Sequence, residues 1–125
     1  MDILLRIAAA YSLAWAIGLA FPSWLAVDAG AVSPAMRSLA NGLASANLAL
    51  AYLFNRAAAD PPGHRGILYA ALILFGLRAV LGTYEVLYML DGPATVVRLI
   101  DMVLSLALFV GMLNSLPGTL QHGRA

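Results

Sequence analysis

The sequence predicts an all-α polytopic integral membrane protein: a four-helix transmembrane bundle with short loops, forming one domain over residues 1–125. Three observations carry this prediction. Hydrophobic residues make up 62% of the chain and charged residues only 10%, against about 25% charged in a soluble domain. A water-soluble protein of this size has too little interior to hide so much apolar surface. The apolar residues also fall into four continuous runs, each near the roughly 20 residues needed to cross a bilayer as a helix. Finally, the runs are rich in Ala and Leu, which favour helix, and lack the polar–apolar alternation of barrel strands.

The first helix is expected over about residues 3–20. Arg6 gives it the weak positive flank of a signal peptide, but it reads better as a retained signal-anchor helix. Phe21-Pro22 ends or kinks it. The connector FPSWLAVDAGAVS reads as a frayed last turn plus a loop. Its alternative is an interfacial segment anchored by Trp24 at the headgroup level. The second helix is expected over about 34–58, with Ser33 as cap and Pro34 in the first turn. The turn signal Asp60-Pro61-Pro62-Gly63 introduces a third helix over about 66–90, and Asp91-Gly92-Pro93 a fourth over about 94–116, closed by Pro117-Gly118. Short connectors make successive helices antiparallel neighbours.

Helices in lipid associate through close packing and hydrogen bonds, because the tails are as apolar as leucine. The small residues Ala10, Ala14 and Gly18 of the first helix are expected at such contacts. So are Ala40, Ala44, Asn47, Ala51 and Asn55 on one stripe of the second, and Gly82 on the third. A homodimer seam is the alternative use of these stripes. Arg6, Arg56, Arg65 and Arg124 fall on one side of the bundle, Arg37 and Arg98 on the other. By the positive-inside rule both termini are expected in the cytoplasm, with the bacterial inner membrane as the location.

Composition narrows the chemistry. A net charge of +1 without a basic cluster gives no support to nucleic-acid binding. All seven basic residues are arginine, which reflects genome composition rather than mechanism. The absence of cysteine excludes disulfides, thiolate catalysis, iron–sulfur clusters and cysteine-based zinc sites. Without a cysteine or an N-terminal Met-Gly, no lipid anchor is expected. His64 and His122 fall outside the apolar runs, so a membrane-embedded haem with histidine ligands is not supported. No phosphate loop, nucleophile elbow or zinc-protease helix occurs. Accordingly no catalytic residue, metal or cofactor is expected.

The candidate site is a set of charges inside the last two runs: Arg78, Glu85, Arg98 and Asp101. A charge near the middle of a membrane helix costs roughly 2.5–3.5 kcal/mol on insertion scales, so the four must pair or face water. Arg78 and Glu85, and likewise Arg98 and Asp101, are spaced to share a helix face. An antiparallel hairpin turning near residue 92 sets Glu85 beside Arg98 and within reach of Asp101. Arg78 lies deeper, about 10 Å from Glu85 at 1.5 Å per residue, and is expected to stretch toward Asp101. Asn41, Tyr84 and Tyr88 are expected at similar depth as polar neighbours. Asn47, near mid-membrane, must find a partner because an unsatisfied amide there is costly. Ser12 and Ser105 are expected to bond back to their own backbone.

Two readings of the cluster follow. In the favoured one, ion pairs lock the last two helices together. In the other, Glu85 or Asp101 is a protonatable group in a polar cavity. Three functions are compatible with this sequence. The first is a non-enzymatic accessory or assembly subunit of a membrane complex. The second is a small oligomeric transporter or channel using the four charges. The third is a lipid- or quinone-binding protein. The expected partners are membrane lipids and other membrane subunits or a second copy of the chain.

Overall fold

The computed structural model describes residues 1–21, 33–88 and 92–122. The connector with Trp24, the residues Asp91 and Arg124, and the last two positions of the expected third helix lie outside the described residues. The described residues form four α-helices: α1 (Asp2–Ala20), α2 (Pro34–Ala59), α3 (Arg65–Tyr88) and α4 (Pro93–His122), with a single 3₁₀ turn at Pro62–His64.

Local chemistry sets the boundaries. Ser33 caps α2 as expected, its Oγ accepting the Met36 N–H at 3.2 Å, with Pro34 in the first turn. At the other end Asp60 leaves helical geometry and its Oδ1 accepts the Gly63 N–H at 3.3 Å. That side-chain turn lets α3 start almost at once. Gly92 precedes α4 at φ 65°, a left-handed conformation that glycine adopts without a Cβ clash.

The fourth helix differs from the expectation that Pro117-Gly118 would close it. It continues through Pro117 to His122. Proline removes one N–H and so one bond to the Leu113 carbonyl, yet its own φ is helical. The turn around it is held by Thr119 Oγ1 donating to the Ser115 carbonyl at 2.9 Å.

Three stretches are long and apolar enough to cross a membrane: Asp2–Ala20, Pro62–Tyr88 and Thr95–His122. The second helix has the length, at 26 residues, but is more polar. Ser38, Asn41, Ser45, Asn47 and Asn55 dilute its alanines and leucines.

The helices pack as two hairpins, α1 with α2 and α3 with α4, and the two hairpins touch each other much less. Small residues bring each pair close. In the first hairpin these are Ala9, Ala16, Ala44 and Ala51, all buried. Ala10 and Ala14, expected at a contact, are exposed. The packing face of α1 follows Leu5, Ala8, Ser12 and Ala16 instead, all of them buried. In the second hairpin Gly82 sits so near Met102 that an added Cβ would lie 3.1 Å from its side chain. The hairpins meet in an apolar core at the end of the bundle that carries both termini. It contains Leu5, Phe54, Leu68, Phe75, Leu108 and Met112, with the Phe54 and Phe75 rings 5.8 Å apart. Above it, toward the far end, the interior turns polar.

Candidate functional site

The interior face of α3 reads Leu68, Ala71, Phe75, Arg78, Gly82, Glu85, and that of α4 reads Arg98, Asp101, Ser105, Leu108, Met112. Both follow the three- and four-residue steps of one helix side. The same faces that supply the apolar core at one end therefore supply the charges at the other.

Asp101 is the centre of the site. It is 2% exposed and is held by hydrogen bonds from α1 and α4 and by an ion pair from α3. The Tyr11 hydroxyl of α1 donates to its Oδ1. Arg98 Nη1, one turn away on α4, donates to its Oδ2. Arg78 Nη1 of α3 stands 3.8 Å from Oδ1, an ion pair beyond hydrogen-bond range. Arg98 bridges onward to Glu85, with Nε 2.5 Å from Oε2 and Nη2 3.3 Å from Oε1. This forked geometry is the strong mode of arginine–carboxylate pairing. Arg78 Nη2 donates to Asn47 Oδ1 on α2 at 3.3 Å, while the Asn47 amide donates to the Leu43 carbonyl at 2.8 Å.

One network thus runs Asn47–Arg78–Asp101–Arg98–Glu85 with Tyr11 attached to Asp101, and it includes all four helices. Its two positive and two negative charges cancel. The sequence places the charges on a single hairpin; the structure shows that Tyr11 and Asn47 tie that hairpin to the other one. Arg78 makes the predicted reach toward Asp101. Its guanidinium also lies 5.8 Å from the Tyr11 ring centroid and 5.7 Å from that of Trp15, within the range of cation–π attraction.

Asn41, Tyr84 and Tyr88 are not brought to the cluster. All three are exposed, and the two tyrosine rings contact each other at 5.3 Å on the outside of α3. Ser12 and Ser105 depart from the expected backbone bonding. Both hydroxyls are buried and, like Arg78 Nη1, have no hydrogen-bond partner among the described residues. Tyr11 and Trp15 are the site residues that sequence reasoning missed. The available signal was a phenol at the midpoint of an apolar run, because a buried tyrosine hydroxyl needs a partner.

Among the described residues the network is closed toward the termini and reaches the surface at the far end and laterally. Phe75, 6.3 Å from the Tyr11 ring, and the apolar core beneath it close the end that carries the termini. Glu85, with 36% of its side chain exposed, marks the opposite end. Laterally, a crevice of about 200 Å³ runs between α1 and α4, lined by Tyr11, Ala14, Trp15, Val97, Ile100 and Asp101. No protein-family model, curated protein or solved structure matches this chain.

Proposed function

We propose that this chain is a four-helix integral membrane protein acting as an accessory or assembly subunit, with α2 turned toward a partner membrane helix. The observation that carries this reading is the outward face of α2. There Ser38, Gly42, Ala46 and Ala49 form an exposed strip of small residues, flanked by the exposed Leu39, Leu48 and Leu53 and, in the groove beside α1, by Asn41 and Ser45. An added Cβ at Gly42 would meet nothing within 4 Å. Small and hydroxyl-bearing residues are what membrane helices place against one another, and polar groups facing lipid are unfavourable. Arg37 and Arg56 bracket this helix about 28 Å apart at 1.5 Å per residue, close to the roughly 30 Å of hydrocarbon. A second helix seated on this face would cover its polar groups and let α2 cross.

The charge cluster supports the same reading, since its four charges are ion-paired with one another and bind the bundle together. A transport path through one copy finds no continuation beyond Phe75 and the apolar core. The bias of Arg6, Arg56 and Arg65 against Arg37 supports cytoplasmic termini.

The test uses the natural lack of cysteine. Ala46→Cys in native membranes, labelled with a maleimide–benzophenone that inserts into neighbouring C–H bonds on illumination, should give a cross-linked species larger than the monomer. Adding Gly42→Ile should reduce it at least fivefold. A species of twice the monomer mass identifies the partner as a second copy, and another mass identifies a different subunit. Monomer alone, with Ala46→Cys freely alkylated by a lipid-soluble maleimide, overturns the reading.

A further inference from the structure

A groove runs along the α1–α2 hairpin, about a third of a turn round α2 from the small-residue strip at 3.6 residues per turn. At the end that carries the termini it holds about 580 Å³ and is lined by Arg6, Ala9, Ala10, Ala51, Tyr52 and Asn55. Leu13 and Leu48 line it too and continue it into a stretch of about 400 Å³ toward the far end. Its floor is small: Ala9 and Ala51 are buried, and their lack of bulk leaves a trough between larger neighbours. The groups able to bind a polar head gather at the termini end, where Arg6, Tyr52 and Asn55 are all exposed. Among the described residues Arg6 has no ion-pair partner, and neither the Tyr52 hydroxyl nor the Asn55 amide makes a hydrogen bond. Among those residues, too, no carboxylate lines the groove. Asp2, one turn before Arg6, lies 3.8 Å from the N-terminal ammonium.

We propose that this groove binds an anionic glycerophospholipid, with the phosphodiester on Arg6, the head-group hydroxyls on Asn55 and Tyr52, and one acyl chain along the alanine floor. The proposal rests on the membrane placement given above and not on the assembly partner. Charge selects the head. The groove offers one uncompensated cation and no acid, so a head of net negative charge gains an ion pair, whereas the ammonium of phosphatidylcholine finds no counter-charge there. The planar donor fork of arginine also suits two oxygens of one phosphate. Depth places the head. An exposed tyrosine on a membrane helix belongs at the interface, and Asn55, one turn from Tyr52 on the same face, then stands at head-group level. Arg6 reaches that level with its stem along the apolar wall. Length fits the chain. One leaflet is about half of the 30 Å hydrocarbon thickness, which is about ten helical residues at 1.5 Å each. Ten residues from Arg6 is Ala16, which also lines the groove.

The experiment is native mass spectrometry of the full chain released from detergent micelles, titrated with dioleoyl phosphatidylglycerol. One saturable lipid adduct per chain is expected, at a concentration at least fivefold below that needed with dioleoyl phosphatidylcholine. Arg6→Gln should weaken the phosphatidylglycerol adduct about fivefold, the worth of one interfacial arginine toward an anionic lipid. Arg56→Gln, at the same end of the hairpin but outside the groove, should leave it within twofold. Ala10→Phe fills the trough from an exposed position and should weaken binding at least fivefold. Leu48→Trp provides a second obstruction should the first alter the fold, as judged by thermal unfolding. Glycerol 1-phosphate, the same phosphate without chains, should not displace the lipid. The spectrum also gives the oligomeric mass, so loss of lipid binding and loss of assembly are read separately. The proposal is overturned by equal affinity for the two lipids, which leaves only an annular lipid, or by Arg56→Gln weakening binding as much as Arg6→Gln, which leaves only a diffuse attraction. Unchanged binding in both obstructing variants overturns it as well, as does displacement by glycerol 1-phosphate, which would make the groove a site for soluble phosphates.

Discussion

At the residue scale the question is how a carboxylate that is almost wholly buried stays tolerable among such apolar helices. Asp101 is held by Tyr11 and Arg98 and faced by Arg78, so its charge is compensated from α1, α3 and α4 together. Asp101→Asn would leave Arg78 and Arg98 facing only Glu85, with an uncompensated positive charge inside. Breaking a buried pair from one side costs about 3–5 kcal/mol, so this variant should be the most damaging at the site. Tyr11→Phe removes one interhelical hydrogen bond and keeps the ring, a loss of about 0.6–1.7 kcal/mol in membrane bundles. Glu85→Gln falls near the lower value, because a third of its side chain is exposed and exposed pairs contribute up to about 1 kcal/mol. Reversible denaturation in mixed micelles should rank the three in that order, and equal losses would show that the network does not act as drawn. The four charges were legible in the sequence because a charge in an apolar run stands out and a tight turn fixes the hairpin register. Tyr11 and Trp15 were not, since an aromatic inside an apolar run looks the same whether it packs on lipid or covers an arginine. Nor were the hydroxyls of Ser12 and Ser105, which find no partner among the described residues and whose bonding depends on neighbours that only the fold supplies.

At the element scale the helix starts follow directly from capping and turn chemistry, which is why Ser33-Pro34 and Asp60–Gly63 were readable in advance. The end of α4 was not, because proline interrupts one hydrogen bond without forbidding its own φ, and whether the helix resumes depends on what holds the next turn. Here Thr119 and Ser115 hold it. Pro117→Ala restores the bond to the Leu113 carbonyl and should leave stability unchanged or raise it by up to about 1 kcal/mol, less than a mid-helix proline would suggest. Gly92 is the opposite case. Its φ of 65° is unfavourable for any residue with a Cβ by roughly 1–2 kcal/mol. Gly92→Ala should therefore lower the unfolding midpoint of the α3–α4 hairpin, whereas Gly66→Ala, in open space on α3, should not. The outward polarity of α2 was visible in composition but not in direction. Ala44, Asn47 and Ala51 face inward as their spacing implied, while Ser38, Gly42 and Ala46 make up a second small face whose outward orientation needed the packing to define it.

At the scale of the whole molecule, two close-packed hairpins are joined at one end by aromatic and aliphatic side chains and at the other by the polar network, so neither hairpin is independent of the other. Exposed tyrosines form a girdle at each end. Tyr52 and Tyr69 lie toward the termini, and Tyr84 and Tyr88 lie toward the far end. Tyr69 and Tyr88 are about 28 Å apart along α3 at 1.5 Å per residue, which matches the separation of the two membrane interfaces where tyrosine concentrates. That frame predicts a definite sidedness even for α2, the helix whose own composition argues least for crossing. Single cysteines can be placed without background labelling because the chain has none. On the proposed orientation, with the termini side cytoplasmic, Ala59→Cys and His64→Cys should react with a membrane-impermeant maleimide only in inverted vesicles. Met36→Cys and Tyr88→Cys should react only in right-side-out vesicles. The informative pair is Met36→Cys with Ala59→Cys, at opposite ends of α2. Reaction from opposite sides means that α2 crosses despite its polar outer face, which then requires a covering partner within the bilayer. Reaction from the same side means that α2 lies along the surface, and the four-span bundle would be wrong even if α1, α3 and α4 all cross.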